Sequence, residues 1–282
     1  MILLKKVSHL REHLVRLRQE GKKIGFVPTM GALHKGHAAL VQQANEEVDC
    51  TVCSIFVNPA QFNDPSDLAH YPRMPERDVQ LLVKIGCDIL FLPEQEEIYP
   101  PGQTFEKNYE LGHLDQTMEG AHRPGHFQGV ARVMERLLNI VEPHRLYMGE
   151  KDFQQCAVVQ FLLQQMNSQT ELVRCMTVRE ADGLALSSRN LLLSEEERHI
   201  APGIYQVLRH ARKNYPSHPP QEIEKEAMRQ LTEAGFAPEY FQIVDGHTLV
   251  PVSDRKKTRF AVACTAARLG RVRLIDNLVL SK

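Results

Sequence analysis

Short apolar runs alternate with longer amphipathic segments from residue 23 to about residue 180, and this alternation constrains the fold more than any other feature of the chain. A strand-like run followed by a helix-like segment is the pattern of βαβ units, whose strands form a parallel sheet. The predicted strands are Lys23–Pro28, Thr51–Val57, Asp88–Leu92, Arg145–Met148 and Leu172–Val178. The predicted helices between them are His37–Glu47, Glu76–Ile85, Gly129–Val141 and Gln155–Met166. The pattern therefore predicts an α/β fold.

The character of the sequence changes after Asn190. Helix-like stretches come first and strand-like stretches follow, at Ser194–Tyr215, Gln221–Ala234, Tyr240–Val244, Ala261–Ala266 and Arg271–Ile275. A chain of 282 residues also exceeds the usual size of a single domain. We therefore expect residues 1–180 to form a Rossmann-like domain with a doubly wound parallel sheet. Residues 181–282 are expected to form a second, smaller α+β domain that closes over the active site.

Charge and hydropathy exclude several classes of function. The formal net charge is −1, and the sequence has no basic stripe. A protein that binds nucleic acid usually carries a basic excess, because neutralising phosphates supplies most of its affinity, so no nucleic-acid partner is expected. No apolar stretch reaches 18 residues, and the N-terminus is too short for a secretory signal. We therefore expect a cytoplasmic protein that does not bind membranes.

The six cysteines are dispersed, and most of them lie in apolar runs. Cys50 and Cys53 have the CxxC spacing, but they lie inside a strand-like run, and no second pair of cysteines or histidines accompanies them. A single CxxC pair is weak evidence for a metal or redox site. The cysteines are therefore predicted to be buried, reduced thiols.

Polar clusters follow the predicted strands, at the positions where parallel α/β sheets bind ligands. The segments are Pro28–His37, Asn58–Asn63, Gly149–Asp152 and Val178–Asn190. Because the carboxyl ends of parallel strands meet at one edge of the sheet, we expect these segments to form one site.

The first segment has the features of an anion site. Gly31 and Gly36 allow the backbone to approach a phosphate, and the helix predicted to start at His37 offers free N–H groups. His34 and His37 can donate hydrogen bonds to phosphate oxygens, with the greatest effect where negative charge grows at phosphorus. The alternative is that this Gly/His-rich turn has only a structural role.

Two further clusters carry groups suited to phosphates. Ser187, Ser188 and Arg189 fit a mobile loop that closes over a triphosphate, because hydroxyls and a guanidinium both donate to phosphate oxygens. Lys151 adds a compact positive charge, and Asp152 can bind ribose hydroxyls or a cation. The alternatives are an ordinary capped loop and a pair of salt-bridged surface charges.

The remaining candidate residues carry amide, imidazole or guanidinium groups. Gln61 and Gln155 offer neutral amides that can hold hydroxyls and a carboxylate. Arg123 and His126 either face a phosphate or fix their own loop, and the sequence leaves both readings open.

Taken together, these motifs resemble those of the pantothenate synthetase family, within the nucleotidylyltransferase superfamily that carries HxGH and a KMSKS-like loop. The matching strings are PTMGALHKGH (28–37), FVNPAQF (56–62), RPGHFQGV (123–130), GEKDFQQ (149–155) and TVREADGLALSSRN (177–190). The family often has Met, Tyr and a larger side chain where this sequence has Leu186, Phe153 and Ala60. None of these departures removes a charged group.

The resemblance implies an enzyme that uses ATP, with Mg²⁺, to join pantoate and β-alanine through pantoyl adenylate. It implies catalytic roles for His34, His37, Lys151, Ser187, Ser188 and Arg189. It assigns ATP binding to these residues and to Met30, Gly31, Gly149, Glu150, Asp152, Val178 and Leu186. It assigns the other substrates to Gln61, Gln155, Asn58, Arg123 and His126. A homodimer is also implied, whereas the metal ligands are not identified.

Two other functions share some of these features. A nucleotidylyltransferase with a phosphorylated acceptor would use the same histidines and loop, but the amides of Gln61 and Gln155 argue against a phosphate acceptor. A non-catalytic nucleotide- or RNA-binding module would not need both histidines together with Lys151, and the neutral charge argues further against RNA.

Overall fold

The computed structural model describes residues 1–63, 65–104 and 107–281. The strands are β1 (Ile2–Leu4), β2 (Ile24–Thr29), β3 (Cys50–Ile55), β4 (Ile89–Phe91), β5 (Arg145–Gly149), β6 (Glu171–Cys175), β7 (Ala237–Asp245), β8 (Ala261–Leu269) and β9 (Val272–Ser281). The helices are α1 (Val7–Gln19), α2 (Lys35–Glu47), α3 (Pro65–His70), α4 (Pro75–Lys84), α5 (Gln95–Ile98), α6 (Glu119–His122), α7 (His126–Val141), α8 (Phe153–Gln165), α9 (Glu195–Ile200), α10 (Gly203–Asn214) and α11 (Pro220–Glu233). Within the described ranges, no helix is both long and apolar enough to cross a membrane.

The first six strands form one parallel sheet in the order β1-β4-β3-β2-β5-β6. From β2 the chain adds β3 and β4 on one side and later adds β5 and β6 on the other. This reversal opens a crevice beyond the carboxyl ends of β2 and β5, which is where doubly wound sheets bind ligands. The predicted fold class is confirmed, and the site segments follow strands that share this edge.

The central strands are apolar because helices cover both faces of the sheet. All residues of β3 are buried, and the amphipathic helix α7 buries its apolar side against the same core. The six cysteines are free and buried, and burial raises the pKa of each thiol. The prediction of buried thiols is therefore confirmed.

Strands β7, β8 and β9 form a separate antiparallel sheet, which lies between two apolar cores. Alternate residues of β8 point to opposite faces, as the two-residue period of a strand requires. Val262, Cys264 and Ala266 join the core of the parallel sheet, whereas Ala261 and Ala263 pack in the core formed with α10 and α11. Burial on both faces explains why β8 is almost continuously apolar.

The sequence-based boundaries needed correction at several places. The strand β1 and the helix α1 were not predicted, and β6 ends at Cys175 rather than at residue 178. The helix α7 begins at His126, three residues before the predicted start at Gly129. The single helical stretch predicted from residue 194 to 215 is two helices, α9 and α10, because Pro202 cannot continue the hydrogen bonding of a helix.

Arg179 joins the loop after β6 to the small sheet. Its guanidinium donates to both carboxylate oxygens of Asp276, at 2.6 and 2.9 Å, and lies 3.9 Å from the ring centre of Tyr205. Asp276 is almost completely buried, and burial raises its pKa while Arg179 opposes that shift. The pair is therefore a buried ion pair whose partners depend on each other.

We expect Arg179→Ala to lower the free energy of unfolding by about 3–5 kcal/mol, because it leaves a buried carboxylate without its partner. Urea denaturation measures the change. The matched control is Arg198→Ala, which removes an exposed pair with Asp182 and should cost less than about 1 kcal/mol. Equal losses in the two variants would contradict the assignment of Arg179 as the buried partner.

Candidate active site

A cavity of about 640 Å³ lies beyond the carboxyl ends of the parallel strands and is closed on one side by residues of β8 and β9. All of the site residues predicted from the sequence line this cavity except Gly31 and Glu150. Gly31 is buried next to Met30 in the chain, and the carbonyl oxygen of Glu150 accepts from the side chain of Asn277, which lines the cavity. The structure thus brings together segments that lie as far apart in the chain as residues 30 and 189.

The histidine pair lies at the N-terminus of α2, with ring centres 4.1 Å apart. Nδ1 of His34 accepts the Gly36 N–H at 3.1 Å, and Nδ1 of His37 accepts the His34 N–H at 3.3 Å. A neutral imidazole that accepts at Nδ1 carries its proton on Nε2. Each ring therefore has its Nε2–H available as a donor.

Both histidines are neutral at pH 7, because their pKa values lie well below it. Burial, reinforced by the nearby Lys151, lowers the pKa of His34 to about 4. Burial together with His34 and Lys151 lowers the pKa of His37 to about 3. The pair consequently supplies hydrogen-bond donors, and the positive charge at this end of the cavity comes from Lys151.

Lys151 is carried by the 3₁₀ turn Glu150–Asp152 that directly follows β5. Its Nζ lies 3.6 Å from the carboxylate of Asp152, and both residues line the cavity. The side chain of Asn277 on β9 donates to the carbonyl oxygens of Glu150 and Lys151, at 2.8 and 2.9 Å. The small sheet therefore holds the turn that presents the lysine.

The segment Ser187–Arg189 lies against the loop of the histidine pair. Ser188 is buried and donates through Oγ to the carbonyl oxygen of Ala32, at 3.1 Å. The Arg189 guanidinium donates to the Asp67 carboxylate at 2.8 and 3.3 Å and lies over the ring of Tyr71. An anionic ligand would thus compete with Asp67 for Arg189. Just before this segment, the Leu186 N–H donates to the carbonyl oxygen of Val178 at 3.0 Å.

Two glutamines also line the cavity, Gln61 after β3 and Gln155 in the first turn of α8. Asn58 is almost completely buried and donates to Oε1 of Gln61 at 3.2 Å, so its side chain orients Gln61. Nε2 of Gln61 points to the sulfur of Met30, at 3.0 Å. The turn that carries Gln61 lies directly on α7, where a Cβ at Gly129 would come within 2.0 Å of a backbone oxygen. Only glycine fits at that contact.

Arg123 and His126 make the structural contacts that the sequence left open. Nδ1 of His126 lies 2.7 Å from the carbonyl oxygen of Gln61, and Nε2 lies 3.2 Å from Arg123. Burial and the charge of Arg123 lower the pKa of His126 to about 4. Both side chains line the cavity, yet these contacts also fix the backbone at Gln61.

Several residues of the site were missed by the sequence analysis. Glu119 is buried and accepts from Arg273 at 2.7 Å and from the hydroxyl of Tyr240 at 2.8 Å. Burial by itself would raise the pKa of Glu119, but these donors and Arg123 outweigh it and lower the pKa to about 2. Asp67 and Asn277 were also missed. For Asn277 the sequence carried one signal, the polar pair Asp276-Asn277 inside the apolar strand β9. No local pattern distinguished Glu119 or Asp67 from other acidic residues.

Comparisons with known proteins identify the family. The family model described as pantoate-beta-alanine ligase matches residues 2–279. A pantothenate synthetase of Porphyromonas gingivalis is 45% identical over 96% of each chain. A crystal structure of pantothenate synthetase from Thermus thermophilus, 43% identical over 100% of each chain, superposes with a TM-score of 0.93. A pantoate-beta-alanine ligase from Francisella tularensis, 35% identical over 99% of this chain and 98% of its own, superposes with a TM-score of 0.84. The chain therefore belongs to the pantoate–β-alanine ligase family, the enzymes that form pantothenate.

Proposed function

We propose that this ligase works in two steps that share the cavity. In the first step a carboxylate oxygen of pantoate attacks the α-phosphorus of ATP, which forms pantoyl adenylate and releases pyrophosphate. In the second step the amine of β-alanine attacks the acyl carbon, loses a proton and displaces AMP to give pantothenate. The observation that carries this proposal is that the histidine pair, Lys151 and the amides of Gln61 and Gln155 all line one cavity.

The histidines and Lys151 act on the charge that grows at the α-phosphate. Neutral imidazoles donate hydrogen bonds to phosphate oxygens, and they are already oriented by the backbone N–H groups of His34 and Gly36. Donors held in place before the reaction stabilise the transition state without reorganising during it. Neither step requires a nucleophile from the protein.

Pantoate, the acid substrate, binds in the part of the cavity lined by Gln61 and Gln155. An amide offers both a donor and an acceptor, which suits a ligand that carries a hydroxyl beside a carboxylate. Gln61 is fixed for this role by contacts with Asn58 and His126, and Arg123 in turn contacts His126. The pocket continues into apolar side chains of α7, including Val130 and Val133, which can pack against the methyl groups of pantoate.

ATP is the co-substrate. The relative from Francisella tularensis was crystallised as a complex with beta-gamma ATP and beta-alanine, which supports nucleotide and amine sites in this family member as well. Magnesium enters with ATP in this proposal. A Mg²⁺ ion commonly binds one or two protein carboxylates together with substrate phosphates, and Asp152 lines the cavity beside Lys151.

Closure transfers Arg189 from Asp67 to the phosphates. The loop Ser187–Arg189 supplies a guanidinium and two hydroxyls, and the charge of a triphosphate outweighs that of one carboxylate. For the domains we propose residues 1–180 and 181–282, with the second unit covering the cavity. The separate hydrogen bonding of the two sheets supports this division. The apolar contact of β8 with the main core limits closure to small movements.

Location and assembly complete the proposal. The six buried, free thiols support a cytoplasmic location, where thiols stay reduced. The resemblance of the motifs to the family supports a homodimer.

We expect His37→Ala to lower kcat by roughly 10²–10³-fold with a smaller change in the KM for ATP, because the lost donor acts mainly on the transition state. Steady-state kinetics with varied ATP measures both constants. His9→Ala is the control, because His9 is an exposed histidine on α1. An increase in KM with an unchanged kcat would contradict the assigned role.

We expect Gln155→Ala and Gln61→Ala each to weaken the binding of pantoate by about 1–3 kcal/mol, because a polar group of the ligand loses its partner. Isothermal titration with pantoate and, separately, with a non-hydrolysable ATP analogue measures the two affinities. Gln164→Ala, at an exposed position on α8, should leave both affinities unchanged. Equal losses for pantoate and nucleotide in the cavity variants would remove the two glutamines from the acid pocket.

The two-step reaction itself is tested by isotope transfer. Pantoate labelled with ¹⁸O in its carboxylate should pass one labelled oxygen to AMP, because the acyl–oxygen bond breaks when β-alanine attacks. ATP–pyrophosphate exchange should require pantoate and proceed without β-alanine. Mass spectrometry of AMP and the exchange assay check these outcomes. Label in inorganic phosphate, or exchange only when β-alanine is present, would rule out the adenylate.

A further inference from the structure

Asp78 is a buried carboxylate behind the loop of the histidine pair, and no step of the proposed reaction uses it. It lies in the first turn of α4 and is only 2% exposed. One oxygen, Oδ2, accepts the N–H of Ala32 at 2.9 Å, and the other, Oδ1, accepts the N–H of Leu33 at 2.7 Å. Both oxygens of a carboxylate from a distant helix are thus engaged by two consecutive peptide groups of the loop.

The loop at these peptides has an unusual conformation. Gly31 and Ala32 are both left-handed, with φ of 82° and 48°. Glycine adopts this region freely, but for an alanine it costs about 1 kcal/mol or more, so a contact must hold it there. A Cβ at Gly31 would lie 3.1 Å from Oδ2 of Asp78, which shows how closely the carboxylate fits the loop.

The peptides held by Asp78 lead directly to the groups proposed to act on ATP. His34 follows Leu33 in the chain, and its N–H is the donor that orients the ring of His37. The carbonyl oxygen of Ala32 accepts the hydroxyl of Ser188, so the same peptide also receives the closing loop. A rotation of the Ala32 and Leu33 peptides would therefore disturb both sides of the phosphate site.

We propose that Asp78 is a positioning residue for adenylate formation: its carboxylate holds the segment 30–34 in the conformation that orients the His34–His37 pair and receives Ser188. This inference rests on the proposed function, because it concerns the step that the histidines serve. Asp78 acts through the loop and does not touch the substrates.

The contact requires a carboxylate because both of its partners are donors. An amide of the same shape presents one oxygen and one NH₂ group, and the NH₂ group would face an N–H. Asp78→Asn therefore keeps one of the two hydrogen bonds and replaces the other by a donor–donor contact. The asparagine variant changes the loop with little change in side-chain volume.

The experiment compares Asp78→Asn with Glu76→Gln, which removes an exposed carboxylate from the same first turn of α4. The rate of pantoate-dependent ATP–pyrophosphate exchange is measured at saturating ATP and pantoate. We expect Asp78→Asn to lower this rate roughly ten- to hundredfold, because a displacement of about 1 Å in a positioned group can cost that much. Glu76→Gln should stay within about twofold of the wild type.

Two readouts separate positioning from a general loss of structure. Thermal unfolding of Asp78→Asn should remain cooperative, and long-range ¹H–¹⁵N spectra should show a changed Nδ1 signal for His37 in this variant only. If Asp78→Asn does not fold, Asp78→Ala, which removes both acceptors without adding a donor, takes its place. In the wild type, the backbone amides of Ala32 and Leu33 should be protected from hydrogen exchange. This measurement does not depend on the folding of any variant.

A folded Asp78 variant with a wild-type rate of ATP–pyrophosphate exchange and an unchanged His37 signal overturns the proposal. Rapid hydrogen exchange at the amides of Ala32 and Leu33 in the wild type overturns it as well. Slow ATP–pyrophosphate exchange together with an altered His37 signal supports it. Absence of pantoate-dependent exchange in the wild type and in Glu76→Gln would instead refute the adenylate mechanism on which the proposal rests.

Discussion

The parallel pairing of β2 with β3 on one side and β5 on the other is the constraint on which the rest of the molecule depends. Parallel strands end at the same edge, so the segments that follow β2, β3, β5 and β6 must meet there. The crevice forms because the chain reverses its winding at β2, and helices on both faces leave that edge as the open route for a ligand. The loop of the histidine pair, the turn that carries Gln61 and the turn that carries Lys151 are neighbours for this reason.

Buried polar contacts then hold the small sheet against that edge. Arg179 binds Asp276, Arg273 binds Glu119, and Asn277 binds the backbone that carries Lys151. Each contact satisfies a group that would be costly to leave without a partner in a low-dielectric interior. The alternating faces of β8 add apolar packing on both sides of the same sheet. The C-terminal part of the chain therefore shapes the active site even though few of its residues belong to the recognised motifs.

The site relies on directed donors more than on accumulated positive charge. Burial keeps His34 and His37 neutral, and backbone N–H groups select the tautomer that leaves Nε2–H free. Arg189 is held by Asp67, so its charge is balanced until an anion competes for it. Neutral histidines and a paired Arg189 limit the repulsion among basic groups in the cavity. It also makes the orientation of the loop before α2 decisive, because a donor contributes only when it points at the oxygen that gains charge.

The sequence by itself determined the fold class, most of the element positions and the segments that line the cavity. Hydrophobic period and turn residues are local properties, and Gly31, His34, His37, Lys151 and the Ser187–Arg189 loop lie in motifs that can be read locally. The three-residue strand β1 and the division of α9 from α10 were missed because they depend on an edge pairing and on one proline. Only the tertiary structure decided that Asn58 orients Gln61, that Arg123 and His126 fix a backbone, that Asp67, Glu119 and Asn277 line the cavity, and that Asp78 holds the loop before α2. These residues act through partners 3 to more than 150 positions away in the chain, and no local pattern encodes which donor and acceptor will meet once the sheets have packed.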